Sequence, residues 1–307
     1  TLNGAITAYG TNFTFNTNAN LTTNGDVYLK GIGYIDQQPS VTVTTNGGNL
    51  VFWTSANGGS DGYIRPANII TNSGHVWMGG NGLQSGTRIW NGLTVGAGYA
   101  FSGPFAGVAL RGDITTNGGD VLIAGESGAY QGDIEAEGAN RTISTGSGDI
   151  TLMPFSELLQ NPGNSYQMVL QTNGKVSVAP ISGGSFWLGH TPTYNGSLNS
   201  GTFTGSSALA GIVIPNFANI GGWELGTYSG TGVSGDTDYD DANIKNMRLD
   251  VGFTVAGPIR VKGDALLIMQ NLQTTSSGAE IRLKSDGPGT GNDEGWISLQ
   301  ADLTTNG

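Results

Sequence analysis

The chain has no cysteine and only two histidines, His75 and His190, among 307 residues. Without thiols there can be no disulfide, no cysteine nucleophile and no Cys-ligated zinc, and the redox compartment stays open. Charge is also scarce. Lys and Arg number 12 against 23 Asp and Glu, a net charge of −11. A phosphate-backbone partner is not expected from such a chain, because nucleic-acid affinity needs clustered Lys and Arg. Long apolar runs are missing as well. Stretches such as residues 208–215 reach less than half of the ~20 residues that cross a bilayer as a helix, so no membrane span is expected. The opening Thr1-Leu2-Asn3-Gly4 has neither the basic nor the apolar region of a signal peptide.

What the chain has in excess is glycine, at 53 of 307 residues, more than twice the usual ~7%. The glycines keep no three-residue period and Pro is only 10, which excludes collagen. Abundant Gly, Thr, Asn and Ser, with no long 3.6-residue periodicity, exclude a helical bundle.

A unit recurs. It reads LTTNGDVYL from Leu21, VTTNGGNLVF from Val43, ITNSGHVWM from Ile70, ITTNGGDVLI from Ile114, ISTGSGDITL from Ile143 and LQTNGKVSV from Leu170. Weaker relatives start at Leu2 and Ile89, and LTTNG returns at Leu303. Aligned on Asn3, Asn24, Asn46, Asn72, Asn91, Asn117, Gly146 and Asn173, the steps are 21, 22, 26, 19, 26, 29 and 27 residues, a mean near 24. Behind each turn stand two apolar residues one position apart: Ile6 and Ala8, Val27 and Leu29, Leu50 and Phe52, Val76 and Met78, Leu93 and Val95, Val121 and Ile123, Ile150 and Leu152, Val176 and Val178. Period-two alternation after an Asn-Gly turn predicts a short strand with one buried face.

A short strand every ~24 residues is too frequent for a propeller blade and lacks the helix formers of a helical repeat. It predicts an all-β fold, a right-handed parallel β-helix with about 24 residues per coil, in which short strands alternate with sharp corners. Gly and Asn suit the corners because they enter left-handed backbone conformations at least cost. Stacked coils put like residues over like, so Asn24, Asn46, Asn72, Asn91 and Asn117 are expected to form an amide ladder. Independent hairpins with Asn-Gly turns are the alternative, which leaves the period unexplained.

Along the chain, residues 1–185 read as regular coils, 186–250 as irregular coils with a loop insertion, and 251–307 as resumed coils. Neither terminus reads as a cap, so the expectation is an internal piece of a longer chain or a subunit stacked end to end.

Candidate chemistry is thin. His75 occupies the slot held by Asn49 and Asp120 in sister units, which makes it a turn variant, and His190 falls in the irregular region. Catalytic β-helices gather acids on adjacent coils, whereas Asp26, Asp120 and Asp149 recur at one structural position. No catalytic residue and no cofactor is assigned. Asp236, Asp238, Asp240 and Asp241 could offer alternate carboxylates to Ca2+, but Asp241 and Met247 stand where an EF-hand needs Gly and Glu. A solvated acidic loop is the competing reading. On the outer face Tyr28, Val51, Trp77 and Leu122 form a column, with Thr7, Thr94, Thr151 and Ser177 between or beyond. Exposed, that column would stack on sugar rings or on a neighbouring fibre; otherwise a loop of the same chain covers it.

The run ITTNGGDVLIAGESGAYQGDIEAEGANRTISTGSGDITL from Ile114 resembles the repeats of filamentous-haemagglutinin-like exoproteins, bacterial surface adhesins of the two-partner secretion and autotransporter kind. The likeness covers roughly residues 1–180 and the last 50. It implies a right-handed parallel β-helix, a secreted or cell-surface location, and service as a rigid rod that self-associates into filaments or binds glycans or a host surface. The expected function is a structural or adhesive segment of an extracellular fibre and not an enzyme; the alternative is a polysaccharide-active or carbohydrate-binding β-helix. The irregular middle and the absence of a secretion domain leave the export route open.

Overall fold

The apolar residues that follow each Asn-Gly corner line the inside of parallel strands. Ile6 is in register with Val27, Val27 with Leu50, Leu50 with Val76, and Val76 with Val121. The row continues through Ile150, Val176, Trp223, Ile259 and Ile281. A computed structural model supplies this geometry and describes residues 2–59, 61–102, 106–127, 133–155, 166–179, 185–188, 212–215, 217–226, 246–249, 252–263, 265–285 and 295–306.

Ten strands, from Ile6–Gly10 to Ile281–Ser285, form the path of the first face. The second face runs from Phe13–Phe15 to Ile134–Ala136 in a five-stranded sheet, and a four-stranded sheet from Ser185–Leu188 to Trp296–Leu299 follows later in the chain. The third runs from Leu21–Thr22 to Ile212–Val213 in seven strands, with three more from Phe253–Val255 to Leu303–Thr304. In the regular coils the chain visits first, second and third face in turn, which is a parallel β-helix. One apolar cluster fills its interior, from Val27 to Leu272, with every member 8% exposed or less.

Coil length is not uniform. Along the first face, inward residues in register are separated by 21, 23, 26, 45, 29, 26, 47, 36 and 22 positions. Between Val76 and Val121 the extra chain includes an antiparallel hairpin, Thr87–Trp90 paired with Leu93–Gly96. The unit at Ile89 is therefore not a coil. Leu93 and Val95 belong to a second apolar cluster outside the helix, not to its interior. Asn91-Gly92, with φ of 46° and 77°, is the two-residue turn that an Asn-Gly pair favours in hairpins.

The corner between third and first face explains the Thr-Asn-Gly-Gly signature. Thr45, Thr71, Thr116 and Thr145 are fully buried. Each hydroxyl donates to the carbonyl three residues on, at Gly48, Gly74, Gly119 and Gly148. Asn46, Asn72 and Asn117 take φ of 51°, 53° and 55°, the left-handed region open to Asn. The last glycine of each corner stacks on its counterpart: a Cβ on Gly74 would lie 1.9 Å from the Gly48 carbonyl oxygen, and one on Gly119 2.0 Å from that of Gly74. No side chain fits between coils at that point.

Candidate functional site

Two ladders run along the corner. In the first, Asn24 Nδ2 donates to Asn3 Oδ1 at 3.0 Å, Asn46 to Asn24 at 3.0 Å, Asn72 to Asn46 at 3.4 Å and Asn117 to Asn72 at 3.1 Å. Asn91 is not a rung. It sits at the hairpin tip, outside the stack, and its Nδ2 donates to Asp120 Oδ2 at 2.7 Å and approaches His75 Nδ1 at 3.2 Å.

The second ladder lies two or three residues further on and joins side chains to backbone. Asp26 Oδ1 accepts the Asn49 N–H at 2.7 Å, Asn49 Oδ1 that of His75 at 2.9 Å, and His75 Nδ1 that of Asp120 at 2.9 Å. Asp120 Oδ1 accepts from Asp149 at 2.8 Å, and Asp149 Oδ1 from Lys175 at 2.7 Å. His75, Asp26, Asp120 and Asp149 are thus structural acceptors in successive coils. Burial pushes the Asp149 carboxyl up, opposed by the Lys175 backbone N–H and ammonium.

The hairpin at residues 87–96 lies over the outer side of the first face, which settles what covers the expected column. Val51, Trp77 and Leu122 are buried at 1% exposure or less, with Trp53, Trp90, Val95, Tyr99, Ala124 and Met153. Thr94 belongs to the hairpin and is not part of the column. Only the near end stays open. Tyr28 is half-buried at the edge of the apolar cluster, and its hydroxyl donates to the Thr94 carbonyl at 3.1 Å. Burial, with a smaller contribution from Tyr9, pushes the Tyr28 phenol up to about 12. Tyr9, one coil earlier, is 72% exposed.

Aromatic rings climb the face coil by coil. Centroids of Tyr9 and Tyr28 are 6.4 Å apart, those of Tyr28 and Trp53 6.3 Å, and those of Trp53 and Trp77 6.1 Å. Lys30 Nζ lies 3.7 Å from the Trp53 ring centroid, a cation–π contact. Between these rings and the hairpin tip opens a cleft of about 500 Å³, whose walls include Thr7, Asp26, Thr87 and Leu93. No sequence signal foretold the cleft. The hairpin that makes its second wall reads locally as another coil.

Elsewhere several charged groups pair. Arg111 Nη1 meets Asp36 at 2.6 Å, and Arg111 and Arg65 both meet Glu137, at 3.2 and 3.3 Å. Glu224, buried at 1%, accepts from Arg260 at 3.2 Å and from the Ser177 hydroxyl at 2.9 Å. Glu126, 8% exposed, has its carboxyl raised to about 8 by burial and by the neighbouring Asp133. Among the described residues no group of three or more His, Cys, Asp or Glu is placed to hold a metal ion, and no helix is long and apolar enough to cross a membrane. His190 and the acidic cluster Asp236, Asp238, Asp240 and Asp241 lie outside the described residues.

No protein-family model, curated protein or solved structure matches the chain.

Proposed function

We propose that the chain is a stiff structural and adhesive segment of an extracellular bacterial surface fibre, of the kind formed by filamentous-haemagglutinin-like exoproteins. The observation that carries this reading is the unbroken path of ten parallel strands on one face. Nine intervals at ~4.8 Å give a column about 43 Å long. A column pinned along the corner between its third and first faces by side-chain ladders and by stacked glycines resists bending, because any tilt between those coils breaks several bonds at once. The repeated acids serve as backbone acceptors, which supports a mechanical role over a catalytic one.

Among the described residues Ile6–Gly10 and Ile281–Ser285 each pair with a single strand, and Ile297 and Leu299 are 45% and 46% exposed. Unpaired edges with exposed apolar residues are templates for further strands, whether from more coils of the same protein or from a second copy. Electron microscopy of the purified chain, with sedimentation over a range of concentrations, tests the reading. Rods of constant width that lengthen with concentration support it, and compact particles with no axial association overturn it.

A further inference from the structure

The open cleft beside Tyr9 has the chemistry of a saccharide site. We propose that it binds a neutral glycan chain, with Tyr9 and Tyr28 as stacking platform and Asp26, Thr7, Thr87 and Thr94 as the hydrogen-bonding edge. The proposal deepens the adhesive half of the function above, and rests on that reading for the rod meeting a glycan-coated surface.

Three features converge. First, the volume of about 500 Å³ falls within the ~300–1,000 Å³ of small-ligand sites. It is large enough for sugar rings and is not filled by the protein's own side chains.

Second, the platform follows the axis. A sugar ring offers a face of C–H groups and a rim of hydroxyls, and an aromatic face, being electron-rich, attracts the C–H side. Tyr9 and Tyr28 repeat at 6.4 Å with their planes inclined by 53°, so successive sugar rings of one chain, turned relative to one another, can rest on successive coils. The series then dives beneath the hairpin at Trp53 and Trp77, which are 1% exposed or less. The groove is therefore exposed along Tyr9 and Tyr28 and closes where the series passes under the hairpin, a shape that admits a chain running parallel to the helix axis.

Third, the polar edge carries unused capacity without net positive charge. Asp26 commits Oδ1 to Asn49, while Oδ2 has no bond among the described residues and can accept from sugar hydroxyls. The Thr7, Thr87 and Thr94 side chains add hydroxyls that both donate and accept. Lys30 is the only cation in the lining, lies over Trp53 and is balanced by Asp26. The lining is thus neutral and offers a polyanion no attraction, while the chain's net charge of −11 opposes its approach, which leaves neutral sugars as the fitting ligand.

Affinity electrophoresis of the whole chain through gels containing hydroxyethyl cellulose, laminarin, dextran or heparin tests the proposal. At least one neutral polymer is expected to retard the protein. Tyr9→Ala, at a position 72% exposed and so free of folding consequences, should weaken retardation about tenfold, and Tyr9→Phe should preserve it, because stacking does not need the hydroxyl. Retardation by heparin alone, by no polymer, or equally for wild type and Tyr9→Ala overturns the proposal. So does a self-association that Tyr9→Ala abolishes, because the cleft would then be a contact between copies. Rods seen by microscopy without glycan binding would sink this inference and leave the rod reading intact.

Discussion

His75 Nδ1 accepts the backbone N–H of Asp120 at 2.9 Å, one coil away along the stack. A backbone N–H cannot turn its proton aside, so Nδ1 is the acceptor in this bond and Nε2 is the ring's protonated nitrogen. The hairpin tip reaches the same pair through Asn91, at 3.2 Å from Nδ1 and 2.7 Å from Asp120 Oδ2. One imidazole thus joins the ladder to the loop that covers the outer face.

His75→Asn should be tolerated, because Asn49 fills the same slot in the neighbouring coil with the same bond. His75→Leu should cost about 1 kcal/mol or more, since it leaves the Asp120 N–H without its acceptor. Thermal unfolding midpoints decide. Equal midpoints for the two variants would remove the imidazole from the ladder.

The glycine stack sets a sharper contrast. In Gly74→Ala the new methyl would meet the Gly48 carbonyl oxygen at 1.9 Å, whereas Gly278, with φ of 74°, has nothing within 4 Å of the same position. Gly74→Ala should abolish or severely lower the folded yield. Gly278→Ala should cost only about 1–2 kcal/mol of left-handed backbone strain. Denaturant midpoints of the two purified variants measure the difference.

Asn46 separates ladder from backbone. Asn46→Gly keeps the left-handed corner and loses the amide bonds to Asn24 and Asn72, whereas Asn46→Ala loses both. The expected order of stability is wild type, then Gly, then Ala, with the second step about 1 kcal/mol or more. A glycine variant no more stable than the alanine one would show that φ of 51° is no burden at this corner.

Glu126 makes stability fall as pH rises. Its carboxyl is raised from 4.5 to about 8 in the folded chain by burial and by Asp133, so the folded state holds a proton that the unfolded state has released. Stability from this group is full below about pH 4.5, declines between there and about 8, and levels off above. Glu126→Gln should flatten that slope and exceed wild type on the alkaline side. Denaturation midpoints below, within and above the window test it, and parallel pH profiles for the two proteins would refute it.

Val95 tests whether the hairpin is a separable cover. The residue is fully buried in the outer cluster, so Val95→Asp puts an unpaired charge there and should release the hairpin. Hydrogen exchange is expected to rise at residues 87–96 and stay slow at inward strand residues such as Val76 and Val121. Uniform loss of protection would mean that cover and column unfold together.

Much of the fold was legible because the column is periodic. An inward pair such as Val27 and Leu29 sits in the same local environment as Leu50 and Phe52, so the same local pattern recurs and repetition alone reveals it. The same logic misled at Asn91. Its Ile-Trp-Asn-Gly-Leu-Thr-Val context has the corner dipeptide and the alternating residues of a coil, and local sequence does not distinguish an Asn-Gly hairpin turn from an Asn-Gly coil corner. Nor could the fate of Trp77 be read, since an outward residue is exposed or buried according to what lies above it, here a hairpin more than ten residues further along.

The sequence by itself determined the inward pairs, the glycine and asparagine corners and the stacking of parallel strands, because each is set by backbone sterics and by burial at fixed spacing. Only the tertiary structure decided that one apparent coil folds back as a hairpin, that it closes over Val51, Trp77 and Leu122, and that it stops short of Tyr9. Those outcomes depend on contacts between residues far apart in the chain, such as the Tyr28 hydroxyl and the Thr94 carbonyl, and no local pattern encodes them.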